Sequence, residues 1–449
     1  MYFSTSASVL SLALLARSVS GSPILKSRGV TTKTWKPTAF AAASPNKVTT
    51  NVLELTRLSG AKNSRNAAFL KGLTKSGKSS TSSGSSQLIS LEEGEEFATS
   101  ITIGTDTFEV IVDTGSSDTW VVETGFQCVN LDTGADTDEA ECAFGSTWTV
   151  EDTFTTIEGE FFDIEYGDGE YLSGVMGYES VTLAGITVTN QTMAVVTSAA
   201  WEGDNTTSGL TGLAYPSLTS AYSDTTDDQI EYNPIITSMI DDGLISPLFS
   251  LAILRDVSGP SGYLALGGLP PVSFTEDFTT TPIEITTVEG YPTTYDFYTI
   301  SIDGVTINGK SVSSSGASAK YIVDSGTTLN YYPTSIANEV NAAFDPPGVY
   351  SEDDGVYIVD CDAKPPTHGV TINGKTFTIN PLDMILWAGT DDEGNSICIS
   401  GVDDGGSDAD EDVYILGDTF QKNVVTVFDV GAVEMRFAPH VDYESNDTY

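Results

Sequence analysis

The chain has 449 residues, with 63 acidic and 19 basic side chains and a formal net charge of −44. That surplus excludes binding to nucleic acid or anionic lipid through charge, and it suits acidic surroundings, where protonated carboxylates repel one another less. The length allows two or three domains with a large core once any removed segments are subtracted.

From the amino terminus, the apolar run Val9–Ala16 is followed by small residues from Ser18 to Ser22. This reads as an export signal over residues 1–21, too short to span a bilayer. The final stretch, VDYESNDTY, is polar, so no membrane anchor is expected and the protein is read as secreted and extracellular. Residues 1–90 hold twelve Lys and Arg against one acid, Glu54, whereas the remaining chain holds seven against 62. Such a contrast predicts parts that attract each other or are later separated. Ser76–Ser86 (SGKSSTSSGSS) has the composition of a flexible, protease-accessible linker. A basic propeptide over 22–88 in front of an acidic body is the simplest account.

From residue 91 onward the text is short β-type runs such as ATSITIG, FEVIVD, GYLALGG and NVVTVFDV, punctuated by Gly, Thr, Asn and Asp. Asn308-Gly309 and Asn373-Gly374 mark hairpin turns. Helical patterns are confined to about Pro234–Asp242 and Pro333–Ala343. The prediction is a mainly β protein with few short helices. An Asp-x-Gly triplet closes an apolar strand at Asp113 and again at Asp324, and each is followed at nearly equal distance by a second apolar strand ending in Gly212 or Gly417. Two β lobes related by a pseudo-dyad, over 89–268 and 269–449 with a cleft between, explain this repeat. A third triplet at Asp132 lies in a polar, Asp- and Thr-rich segment and reads as an exposed turn.

Two carboxylates brought together cannot both ionise easily, so they share one proton and titrate in two separated steps. The ionised partner can take a proton from water and the protonated one can donate to a carbonyl, which is general acid–base hydrolysis without a covalent intermediate. Gly115 and Gly326 permit the tight turns that present each acid. The hydroxyls of Thr114 and Ser325 can tie each loop to its counterpart, and Ser116 and Thr327 can bond the outer carboxylate oxygens.

Four cysteines in an exported chain favour two disulfides. Pairing of neighbours (Cys128 with Cys142, Cys361 with Cys398) closes two local loops, although the spacing leaves both other pairings open. The lack of C-x-x-C and the presence of only His368 and His440 argue against zinc. Asp403–Asp412 (DDGGSDADED) lacks calcium-loop spacing and reads as a solvated loop, so neither metal nor cofactor is expected. Asn190, Asn205 and Asn446 begin glycosylation sequons.

Over about residues 90–440 the body resembles the pepsin-family aspartic proteases, most of all the secreted fungal type. The likeness rests on DTGSSDTWV at 113–121, YGDG at 166–169, GLTGLAYP at 209–216, DSGTT at 324–328 and ILGD at 415–418, in that order. The resemblance implies a bilobal acid-protease fold with Asp113 and Asp324 as the catalytic dyad. It makes Trp120 the partner of a flap tyrosine, Tyr166, with Gly167, Asp168 and Gly169 completing the flap tip. It assigns peptide binding to Gly115, Gly326 and Thr327, and disulfides to Cys128–Cys142 and Cys361–Cys398. Ser325 stands where the family more often has Thr, and the hydroxyl is kept. The implied activity is a secreted endopeptidase, expected as a monomer, that cuts proteins at acid pH between apolar or aromatic residues. It is made as a zymogen whose propeptide inhibits it through Lys71, Lys75 or Lys78. A silent binding relative would be expected to lose a dyad acid or the flap tyrosine, and this chain keeps all three. A serine or cysteine hydrolase lacks a G-x-S-x-G partner for either histidine, and a two-acid glycosidase leaves the repeated triplets unexplained.

Overall fold

The computed structural model describes residues 47–58, 96–167, 169–255, 261–286, 294–312, 319–351, 354–390, 394–407 and 414–441. The expected signal, most of the expected propeptide with Lys71, Lys75 and Lys78, and also Asp168, Asp408–Asp412 and Asn446, lie outside the described residues.

Strands dominate. The helices Ile235–Asp241 and Thr334–Asn341 fall where the pattern predicts them, and each starts directly after a proline, Pro234 or Pro333. A proline's fixed φ and missing N–H suit a helix start, where that N–H would have no intrahelical partner. The four-residue helix Asp418–Gln421 was not foreseen, being too short for a periodic signal.

The repeat read from the triplets is present as matching topology. Strand Asp106–Asp113 pairs in parallel with Gly209–Gly212, which pairs antiparallel with Thr119–Val129. In the second half, Lys320–Val323 pairs in parallel with Tyr414–Leu416, which pairs antiparallel with Asn330–Tyr332. Val110, Ile111 and Val112 are all buried, as are Tyr321, Ile322 and Val323. That accounts for the unbroken apolar lead-in before each acid, since a strand covered on both faces has no polar side.

A continuous sheet joins the halves. Phe249–Ile253 pairs on one edge with Gly262–Leu266 and on the other with Val424–Asp429, and the rings of Phe249 and Phe428 stack 4.5 Å apart. Strand Val52–Leu58, inside the expected propeptide, takes a place in this sheet. Its first part pairs with Gly262–Leu266 and its last part with Glu96–Ile103, and Leu55 is buried between them. Both disulfides join sequence neighbours, Cys128–Cys142 and Cys361–Cys398. The solvated loop expected from Asp403 fails at its start, because Val402–Asp404 forms a strand against Asn330–Tyr332 and buries Asp403.

A second seam crosses between the halves at 213–217 and 295–298. Tyr215 N–H donates to the Asp296 carbonyl (3.2 Å), Tyr298 Oη to the Leu213 carbonyl (2.6 Å) and Ser217 Oγ to the Tyr295 carbonyl (2.7 Å). The Asp296 carboxyl is buried here, accepting from Thr286 Oγ1 (2.6 Å) and Phe297 N–H (2.7 Å) on one oxygen, with no partner on the other. Burial raises its pKa from 3.8 to about 7, against the opposing effect of those two bonds. The unfolded chain gives up this proton near 3.8, so the contribution to stability is complete below that pH and is lost as pH rises through 7. Asp296→Asn keeps an acceptor for both donors and should remove this loss, which is on the order of 4 kcal/mol. Melting temperatures at pH 4 and pH 7 check this; an unchanged fall between them would contradict it.

Candidate active site

Each triplet sits where a buried strand ends and the chain must turn sharply toward the other half. The turns are locked to one another. Ser325 N–H donates to Thr114 Oγ1 (2.9 Å), which donates to the Val323 carbonyl (3.0 Å). In the mirror arrangement, Thr114 N–H donates to Ser325 Oγ (3.2 Å), which donates to the Val112 carbonyl (2.9 Å). The Ser in the second triplet therefore makes the same pair of bonds as Thr114 in the first.

The carboxylates are presented in matched fashion. Asp113 accepts from Gly115 N–H (2.7 Å) on one oxygen and from Ser116 Oγ on the other. Asp324 accepts from Gly326 N–H (2.9 Å) on one oxygen and from Thr327 Oγ1 (2.7 Å) on the other. A Cβ on Gly115 would lie 2.5 Å from the Asp324 carboxyl, and one on Gly326 would lie 2.5 Å from an Asp113 oxygen. Each glycine of a triplet thus faces the opposite acid, and any side chain there would occupy the space between the two. Burial, and then the neighbouring charge of Asp324, hold the Asp113 pKa well above the ordinary carboxylate value, while Ser116 and Gly115 oppose the rise.

Gly212 and Gly417 form the floors beneath the two turns. A Cβ on Gly212 would lie 2.5 Å from the Ser117 nitrogen, and one on Gly417 would lie 2.4 Å from the Thr327 carbonyl oxygen. Leu213 N–H donates to the Asp113 carbonyl (2.8 Å), and Asp324 N–H to the Leu416 carbonyl (3.2 Å).

Above the first turn, the hairpin of Thr155–Glu165 and Tyr171–Leu183 ends at Tyr166 and Gly167. Gly169 there takes φ +95°, a conformation open to glycine. Trp120 Nε1–H donates to Tyr166 Oη (2.9 Å). Burial and the proximity of Asp113 push the Tyr166 pKa well up, so its hydroxyl stays protonated and can donate. The site therefore gathers Asp113, Thr114, Gly115, Ser116, Trp120, Tyr166, Asp324, Ser325, Gly326 and Thr327. Asp132 stays apart on an exposed turn, where Asn130 Oδ1 accepts from Thr133 N–H (2.9 Å).

Sequence reasoning passed over Asp118. It is fully buried, accepts from Ser220 N–H (2.9 Å) and Tyr232 Oη, and anchors the far end of the first turn. Burial lifts its pKa to about 6, with those bonds opposing. The available signal was an acid set among small residues between two apolar strands; its partners lie more than a hundred residues away in the chain.

The family described as eukaryotic aspartyl protease matches residues 96–440. A probable aspartic-type endopeptidase of Aspergillus fumigatus is 51% identical over 445 residues, covering 98% of this chain and 99% of that one. Rhizopuspepsin-2 of Rhizopus niveus is 30% identical, covering 77% and 78% of the two chains. Cathepsin E of Aquarana catesbeiana is 33% identical over 78% and 81%. The crystal structure of an aspartic proteinase from Irpex lacteus superposes with a TM-score of 0.60 over 77% of this chain and 94% of that one, at 21% identity, a likeness of fold.

Gly115→Ala places a methyl group against the Asp324 carboxyl and must displace it. With Asp324 as an expected catalytic acid, a displacement of about 1 Å costs roughly 100-fold in rate, so peptide cleavage should fall by about that factor. Cleavage at the parent rate would contradict the facing arrangement.

Proposed function

The chain belongs to the eukaryotic aspartyl protease family and is an aspartic-type endopeptidase; from this premise we propose that Asp113 and Asp324 share one proton and activate a water between them, in a secreted enzyme made as a zymogen. The observation that carries the reading is the reciprocal placement of each triplet glycine against the opposite carboxyl. It leaves room for small groups only, and burial first, then the charge of Asp324 beside it, raises the Asp113 pKa.

In the proposed step, the ionised carboxylate takes a proton from water as the oxygen attacks the substrate carbonyl carbon. The protonated carboxyl gives its proton to the carbonyl oxygen, forming a tetrahedral diol. The carboxyl that is now protonated gives its proton to the amide nitrogen while the ionised one takes the proton of a diol hydroxyl. The C–N bond breaks as the C=O bond re-forms, releasing an amine and a carboxylic acid, and the pair again holds one proton. The N–H groups of Gly115 and Gly326 hold one oxygen of each acid, so the carboxyl planes need no rearrangement during the reaction. Tyr166, Gly167 and Asp168, with Gly115, Gly326 and Thr327, are the proposed contacts for the extended peptide.

The zymogen reading draws on two features. Charge divides the chain into a basic leader and an acidic body, an electrostatic latch that weakens as carboxylates protonate. Strand Val52–Leu58 also occupies the sheet between Gly262–Leu266 and Glu96–Ile103. Removing the leader uncovers both edges, so processing has to be followed by another segment filling that place or by retention of the cut strand. Asn190 and Asn205, both exposed with φ of 57° and 60°, are the proposed glycan acceptors among the described residues.

Protein held at acid pH should cleave a protein substrate, acquire a new amino terminus near residue 88, and lose mass on deglycosylation. Asp113→Asn should lower cleavage by a thousand-fold or more, since it removes the shared proton site. Cleavage that survives Asp113→Asn would overturn the dyad. An unprocessed yet fully active chain would overturn the zymogen, and an unchanged mass would overturn the glycans.

A further inference from the structure

The hairpin turn that carries Tyr166 has a lateral attachment outside the dyad. Within the turn, Tyr166 N–H donates to the Glu170 carbonyl (2.8 Å) and Gly169 N–H to the Tyr166 carbonyl (3.0 Å). These bonds shape the turn without fixing its place on the lobe. Glu170 itself has a contact beyond the turn. Although it carries a carboxyl, the residue is only 3% exposed, and one of its oxygens accepts from Glu202 N–H at 2.8 Å.

Glu202 belongs to the loop after strand Ile186–Ala200, and that loop is held firmly. Gly203 N–H donates to the Cys142 carbonyl (2.9 Å), Asn205 N–H to the Ala143 carbonyl (2.6 Å) and Gly145 N–H to the Thr207 carbonyl (2.8 Å). Cys142 is in turn joined to Cys128 on strand Thr119–Val129. Aromatic rings follow the same route. Tyr166 meets Trp201 edge-on at 5.8 Å, Trp201 stacks on Phe144 at 5.9 Å with the planes 9° apart, and Phe144 meets Phe126 edge-on at 5.4 Å.

We propose that Glu170 is a positioning residue that fixes Tyr166 over the site, by tying its turn to the loop secured by the Cys128–Cys142 disulfide. The polar tie through Glu202 and the aromatic series through Trp201 and Phe144 run through adjacent residues of one loop and end on the same disulfide-linked segment, so two kinds of contact join the turn to it. Placing a carboxyl in a buried spot is costly unless hydrogen bonds compensate it, and the Glu202 amide supplies such a bond at the point where the turn meets the lobe. A hairpin without the tie spends less time with Tyr166 against Trp120. Substrate then binds to a smaller competent fraction, which raises apparent KM, while the bound complex turns over as before. The inference rests on the proposed contact between Tyr166 and substrate.

The test compares Glu170→Ala and Glu170→Gln with the parent on one peptide substrate at acid pH. Loss of a bond of this kind shifts a binding equilibrium about ten-fold, so Glu170→Ala should raise KM by about that factor and keep kcat within about two-fold. Glu170→Gln retains an acceptor oxygen and should behave as the parent. If the alanine variant does not fold, Glu170→Ser, whose hydroxyl is too short to reach the Glu202 amide, should give the same KM shift. A variant with lower kcat at unchanged KM has lost active protein rather than position, and that result overturns the proposal, as does a glutamine variant impaired as much as alanine. Turnover that persists in Asp113→Asn would instead overturn the underlying catalytic reading, whatever the Glu170 variants do.

Discussion

Thr114 and Ser325 each donate a side-chain hydrogen bond to a strand carbonyl of the opposite half and each accept the other's backbone N–H. All four groups are buried, so none can exchange its partner for water, and removing either hydroxyl would strand an amide at a cost of about 1–3 kcal/mol. The facing of the two carboxyls depends on this lock. The acids sit one residue before the locking hydroxyls, and the glycines one residue after. Once positions 114 and 325 are pinned across the pseudo-dyad, the backbone has little freedom left to set the distance between Asp113 and Asp324. The sheet containing Phe249–Ile253 and Val424–Asp429, and the seam at 213–217 and 295–298, keep the halves in the relation that the lock requires.

The electrostatics of the fold favour acid conditions at several depths. Asp113, Asp118, Asp296 and Asp403 are all buried with raised pKa values, burial being the leading cause in each. Their contributions to stability are complete at low pH and are lost as pH rises. The two histidines work in the opposite sense. His368 donates from Nδ1 to the Thr306 carbonyl (3.1 Å) and accepts from Tyr332 Oη at Nε2 (3.0 Å), and burial lowers its pKa to about 4. Burial lowers His440 to about 4 as well. Because the unfolded chain binds these protons from about 6.5 downward, their contribution is lost as pH falls from there through 4. The buried acids therefore penalise neutral pH, and the buried histidines penalise the fall from about 6.5 to about 4.

Much of this was legible in the sequence because it rests on local features. Apolar strands leading into Asp113 and Asp324 announce chain buried on both faces, and the repeated spacing to Gly212 and Gly417 announces two equivalent halves. The Asn130–Gly134 turn around Asp132 is equally local, so that triplet could be set aside. What escaped depends on contacts between distant segments. Asp118 reads as one more polar residue until Ser220 and Tyr232 arrive beside it. Asp403 looks like part of a solvated acidic run, yet parallel pairing with Asn330–Tyr332 buries it. Glu170 carries no signal of its own beside the flap motif, and only the fold brings the Glu202 amide to it. The strand at Val52–Leu58 was hidden for a different reason. Its composition matches the basic leader, and its β character becomes meaningful only once the open place in the sheet is known.

The most direct measurement of the proposed shared-proton pair is the pH dependence of kcat/KM on a peptide whose own groups do not titrate in the range. Two like charges that share one proton ionise in well-separated steps, so the parent should give a bell-shaped profile with an acidic and a more neutral limb. The neutral limb should reflect a carboxyl held well above its ordinary value, as Asp113 is. A profile with a single limb, or one whose neutral limb is unchanged when residual activity is followed in Asp113→Asn, would contradict a pair acting as one acid and one base.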